Sequence, residues 1–134
     1  MAKARRAKRT SKAKSATKVK RKKARRWTER LDPSAVREAL QEASIDAYDE
    51  YEQHAGLLTM IEDQLEFPFR AEVLGEEVQV VGMDWPEDDE FGLDLVIERG
   101  RKRHRIEARS VQLLEPFPEG HLYLAAYLYW KRHL

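Results

Sequence analysis

Apolar residues recur every three or four positions from Val36 through Ala39 and Leu40 to Ala43, the spacing that lays one stripe along an α-helix. Asp32-Pro33 opens that helix. The aspartate side chain can accept from free backbone N–H groups, and proline at the first helical position loses nothing by lacking its own. Ile45, Tyr48, Leu57, Leu58, Ile61 and Leu65 predict a second helical stretch from about residue 45 to 65, interrupted or bent near Gly56 and ended by Pro68. Beyond Pro68 the period falls to two. Phe69, Ala71 and Val73 alternate with Arg70 and Glu72, Gly75 marks a turn, and Val78 and Val80 alternate with Glu77 and Gln79, which predicts two antiparallel strands. Leu93, Leu95 and Ile97 repeat the pattern, Gly100 supplies a hairpin turn, and Ile106 to Leu114 hold one or two further short strands. Leu122, Leu124, Ala125, Tyr127, Leu128 and Trp130 predict a closing helix within Glu119 to His133. The fold class is therefore α+β: N-terminal helices, a small antiparallel twisted sheet or SH3-like barrel, and a C-terminal helix. No internal repeat is visible.

Charge divides the chain more sharply than hydropathy. The 134 residues carry a formal net charge of +1, yet residues 1 to 26 hold fourteen Lys and Arg and no acid, whereas residues 31 to 134 hold 23 acids against ten bases, a net of about −13. Val19 is the first segment's one branched aliphatic residue, so that segment cannot bury enough surface to offset the entropy of ordering. The division predicts a disordered basic tail over residues 1–31 and a folded domain over 32–134. Fourteen cations on a flexible segment suit salt-sensitive, largely sequence-independent contact with nucleic acid. The same segment also fits a solubilising tail, an intramolecular partner for the acidic domain, or a cleavable targeting segment. Nucleic-acid association through residues 1–26 is the alternative function. A second basic run, Arg99 to Arg105, lies on the predicted hairpin, where it extends a nucleic-acid surface or guards a sheet edge.

Cysteine is absent, which excludes disulfides, thiolate metal sites and cysteine nucleophiles. No apolar run reaches the length of a membrane span and no secretory signal is seen, so a soluble, cytoplasmic protein is expected. There is no nucleophile elbow and no phosphate-cradling glycine loop, and His54, His104, His121 and His133 lack metal-ligand spacing. The reading is of a protein that is not an enzyme.

The remaining chemistry lies in acids, which gather in three clusters: Asp46, Asp49, Glu50 and Glu52; Glu62, Asp63 and Glu66; and Asp84, Glu87, Asp88, Asp89 and Glu90. Calcium takes six to eight hard oxygen ligands, and such clusters supply them. Asp46, Asp49 and Glu50 stand at i, i+3 and i+4, one face of a helix; Glu62 and Glu66 are similarly paired. A solvated acidic face is the plainer account of any one cluster, but three in 45 residues favour a cation. An EF-hand trace exists, with Glu87, Asp89, Gly92 and Glu98 at loop positions 1, 3, 6 and 12. Phe91 stands at position 5, and Leu93 to Glu98 reads as a strand where an exit helix belongs, so the site is not an EF-hand.

The run Ile45-Asp46-Ala47-Tyr48-Asp49-Glu50-Tyr51-Glu52, followed after Gly56 by Ile61-Glu62-Asp63-Gln64-Leu65-Glu66-Phe67-Pro68-Phe69, resembles the small calcium-binding protein family first known from cyanobacteria. Val78-Gln79-Val80-Val81-Gly82-Met83, the acidic loop after it, Val111-Gln112-Leu113 before Pro116, and Tyr129-Trp130 extend the resemblance over about residues 42 to 133. It implies a compact helix-plus-sheet domain that binds Ca2+ without EF-hands, as a buffer or sensor. By motif position, Asp46, Asp49 and Glu50 match the first acidic block and Glu62, Asp63 and Glu66 the second. Asp84, Asp88, Asp89 and Glu90 fall in the acidic loop. The chain departs from the family at Leu57 and Leu58, where aromatic residues are usual, and at Ala126, where an acid is usual.

Overall fold

The structure, a computed structural model, describes residues 26–134. The predicted basic tail, with its nucleic-acid contact, lies outside the described residues except at its end, where Trp27–Arg30 form a single 3-10 turn. Leu31–Leu134 form one compact unit.

Helix α1 (Pro33–Ala43) starts as its sequence dictates, with the Asp32 carboxylate accepting from the Ser34 N–H at 3.0 Å. Helix α2 spans Glu50–Gln64. Its start lies five residues beyond the predicted one because Asp46 adopts a left-handed backbone, φ 61°, and residues 44 to 49 form a turn instead of helix. Nor is α2 interrupted at Gly56. That glycine has a different purpose: a Cβ placed there would collide with the backbone carbonyl oxygen of Ala43, so its bare Cα lets the end of α1 lie against α2.

Strands β1 (Phe69–Val73), β2 (Glu76–Asp84), β3 (Asp94–Arg99), β4 (Lys102–Glu107) and β5 (Gln112–Leu113) form an antiparallel sheet in the order β4-β3-β2-β1-β5. Of the two predicted forms this is the sheet: β4 and β5 are separate edges with no pairing between them. Leu74 and Gly75 link β1 to β2 with φ of 52° and 79°, the pair of positive angles that a tight type I′ hairpin requires. A register shift between Val80 and Gly82 makes Val81 a bulge in β2. Helix α3 (His121–Arg132) packs against both α1 and α2.

The core follows from the two periods. Ala71, Val78, Val80, Leu95, Ile97 and Leu113 on one face of the sheet, and Leu57, Leu58, Ile61, Leu124, Ala125 and Ala126 on the helices, are all buried; two amphipathic layers can close only on each other. Arg101 in the hairpin turn and Lys102 to Arg105 on the edge strand β4 are exposed. Several of the nearby cations are already paired: Arg99 with Glu76 at 2.9 Å, Arg103 with Glu98 at 3.1 Å and Arg105 with Asp84 at 2.8 Å.

Gly56→Ala tests the packing role. Alanine favours a helix by up to ~1 kcal/mol, but a clash with a backbone atom cannot be relieved by turning a side chain. The substitution is expected to destabilise the domain by a net ~1–3 kcal/mol in urea unfolding. A more stable variant would mean that α1 does not press on α2 at this point.

Candidate metal centre

The unbroken α2 separates the first two acidic clusters. At 1.5 Å per residue Asp49 and Asp63 stand about 21 Å apart, so they do not share an ion. Within the first cluster the predicted helical face of Asp46, Asp49 and Glu50 does not form, since the first lies in a turn and the second is the N-cap. The Asp49 carboxylate accepts from the Glu52 N–H at 2.9 Å, and the Glu52 carboxylate accepts from the Tyr48 N–H at 2.6 Å. These two bonds close the helix start and place anions at the positive end of the dipole. Asp46 and Glu50 are exposed and carry no side-chain hydrogen bond or ion pair among the described residues.

Glu62 and Asp63 occupy the last turn of α2, and Glu66 lies beyond its C-cap, Leu65. All three are exposed. The predicted helical pairing of Glu62 with Glu66 is therefore absent, because the helix ends between them.

The third cluster is different in kind. Residues 85 to 93 connect β2 to β3, and the pairing register sets Asp84 opposite Asp94 and Asp94 opposite Glu107. Three acids thus stand in a row on adjacent strands, a placement that costs stability unless a cation intervenes. The Arg105 guanidinium supplies one at 2.8 Å from Asp84, and by hydrogen bonding to it holds the Asp84 carboxyl below the usual carboxylate range. Asp94 has no such bond. Burial, reinforced against the pull of Arg105 by the charges of Asp88, Glu107 and Asp84, pushes its carboxyl above the usual range.

Around the loop, Asp89 accepts from the Phe91 N–H at 3.2 Å and from the Lys131 ammonium at 2.8 Å. The bond from Lys131 lowers its pKa. Glu90 lies 3.4 Å from the Tyr51 hydroxyl, which brings the start of α2 beside the loop. Glu87 and Asp88 are exposed and unpaired among the described residues.

Beneath the loop, His54 is 6% exposed, and its Nε2 lies 2.8 Å from the Gly92 carbonyl oxygen. A carbonyl only accepts, so Nε2 carries the proton. Trp85, Phe91, Tyr127 and Trp130 surround the imidazole with ring centroids 5.6 to 6.3 Å away. The Tyr127 hydroxyl donates to the Phe91 carbonyl at 2.8 Å, and burial raises its pKa strongly. His54 therefore anchors the loop from within the core.

Among the described residues, no three His, Asp or Glu side chains converge closely enough to hold an ion as they stand. The structure sets Asp84 at the end of β2, beside the loop that carries Asp88, Asp89 and Glu90, leaves Asp46, Asp49 and Glu50 at or just before the start of α2, and leaves Glu62, Asp63 and Glu66 at its far end. Asp94 and Glu107 were missed by sequence reasoning, because only strand register discloses that they face Asp84.

A protein-family profile described as calcium binding, that of the CcbP proteins, matches residues 39–131. The chain belongs to the CcbP calcium-binding family. Among solved structures it is similar to Anabaena CcbP, with a TM-score of 0.61 and 21% identity over 75% of this chain and 91% of that one. It is also similar to a calcium-binding protein in its calcium-binding form, with a TM-score of 0.58 and 21% identity over 79% of this chain and 94% of that one. At this identity the likeness is one of fold. No curated protein matches the chain.

The donor chemistry fits a CcbP protein: carboxylates and carbonyls are the hard oxygens calcium prefers, and β3 stands where an EF-hand would need a helix. Leu57, Leu58 and Ala126 are fully buried at 0% exposure, so these three positions belong to the core.

The raised Asp94 carboxyl has a measurable sign. The folded chain holds that proton more tightly than the unfolded chain. The resulting penalty is absent below the unfolded value near ~3.9, and stability is lost as pH rises through the higher folded value. Asp94→Asn is therefore expected to raise the melting temperature of the calcium-free protein at pH 7, with an advantage that shrinks as pH falls toward ~4. A variant no more stable than the parent at pH 7 removes this electrostatic account.

Proposed function

We propose that this CcbP-family domain takes up Ca2+ at the loop end of its sheet, as a buffer or sensor, with Asp84, Asp88 and Asp94 at the centre and Glu87, Asp89 and Glu90 around them. The observation that carries the reading is the row of carboxylates that strand pairing places side by side, Asp84, Asp94 and Glu107. Arg105 pairs with Asp84 and Arg109 with Glu107, which leaves Asp94 between them without an ion pair among the described residues. A bound calcium ion supplies two positive charges there. The chain's own part is to present the oxygens, and His54 and Tyr127 hold the loop carbonyls of Gly92 and Phe91 in place from beneath.

Asp46, Asp49 and Glu50 form the adjoining rim; the capping bonds of Asp49 make it the least available of the three. Glu62, Asp63 and Glu66 would form a separate, more exposed and weaker site at the far end of α2. The arrangement is one of binding and not of catalysis: the buried histidine is engaged with a backbone carbonyl, and the loop acids lie on an open surface.

Calorimetric titration of the full chain with CaCl2 tests this. Binding heat is expected together with a rise in melting temperature, the stabilisation reaching about 2.7 kcal/mol at a hundredfold excess over Kd. Asp88→Asn with Asp94→Asn should weaken binding by at least about tenfold, the loss of roughly 1.4 kcal/mol, whereas Glu62→Gln with Asp63→Asn should leave the tighter site unchanged. No heat and no melting shift at millimolar calcium would overturn the assignment, as would a loop double variant that binds like the parent.

A further inference from the structure

Lys131 lies in the last turn of α3, where a cation is favoured by the helix dipole. Its side chain does not run into solvent. The ammonium reaches across to the acidic loop, 2.8 Å from Asp89 Oδ2 and 3.1 Å from the Phe91 carbonyl oxygen. A carboxylate and a backbone carbonyl around one cation are the donor types a calcium ion uses. The seat is built from both sides: Asp89 Oδ1 is fixed by the Phe91 N–H, and the Phe91 carbonyl also accepts from Tyr127. Asp84 has its own partner in Arg105, on the exposed edge strand. Lys131 is the cation that a different layer of the fold extends to this loop, and its side chain is only 32% exposed.

We infer that Lys131 is a tethered cation occupying an oxygen seat of the acidic loop, and that it competes with calcium for Asp89 and so sets the loop's affinity. This rests on the loop being the calcium site proposed above. Release of the amine leaves the Phe91 carbonyl held by Tyr127, so the loop keeps its anchor while the end of α3 loses its tie. The expected size follows from charge. Calcium must displace the amine from its charge-assisted bond to Asp89, which lowers the parent's affinity by roughly tenfold.

The test uses the full chain as parent, Lys131→Met, Lys131→Arg and Lys131→Met with Asp89→Asn, each titrated with CaCl2 by calorimetry and melted with and without calcium. Lys131→Met is expected to melt at a lower temperature than the parent without metal, to bind calcium about tenfold more tightly, and to show the larger calcium-induced rise. Lys131→Arg should keep the parent's affinity, and adding Asp89→Asn should abolish the gain. Lys131→Gln replaces the methionine variant if the latter does not fold. Equal or weaker calcium affinity on removal of the amine overturns the inference. A parent that binds no calcium beside a Lys131→Met variant that does would support it while overturning wild-type uptake at the loop. Silence from both chains would overturn both.

Discussion

Ionised carboxylates on adjacent strands repel, and the pairing of β2 with β3 and of β3 with β4 leaves Asp84, Asp94 and Glu107 no choice but to stand in a row. The same pairing is required by the core, since Val80, Leu95 and Ile97 are buried only in that register. A slip of one residue would separate the acids but would also turn the apolar face outward. Core burial thus holds in place an electrostatic arrangement that is unfavourable by itself, and the domain meets it with cations. Arg105 on the edge strand pairs with Asp84 and Arg109 with Glu107, while Lys131 from α3 pairs with Asp89 of the neighbouring loop.

The loop that bears the remaining acids is tied down from below. His54 on α2 and Tyr127 and Lys131 on α3 all bond to atoms of residues 89 to 92. These are bonds to backbone carbonyls and to one carboxylate, so they fix the path of the loop while leaving Glu87 and Asp88 facing water. A loop held in this way keeps its path, while its exposed carboxylates still have to turn toward one another to meet on one ion. The aromatic shell around His54 fixes that path from the core side.

Much of the fold was legible because its signals are local. The Asp32-Pro33 start of α1, the alternation through Phe69 to Val80, the Gly100 hairpin and the final helix all follow from short-range backbone chemistry. Two readings failed for instructive reasons. Residues 45 to 49 have helical spacing, but Asp46 takes a left-handed turn and Asp49 caps α2 through the Glu52 N–H, so the cap overrode the periodicity. Gly56 looked like a break, yet it is the point where a carbonyl of α1 passes too close for any side chain.

Composition and periodicity were enough to determine the charge division of the chain and its α+β class, and the resemblance of the Tyr-Asp and Leu-Glu-Phe-Pro-Phe blocks to a known family pointed to calcium, because each of these is written in neighbouring residues. Which acids face one another was decided only by tertiary structure. Asp94 and Glu107 lie thirteen residues apart in the chain, Asp89 and Lys131 forty-two, and His54 and Gly92 thirty-eight. Nothing in the local pattern links such pairs until strand register and helix packing bring them within a few ångströms, the range over which charges and hydrogen bonds act.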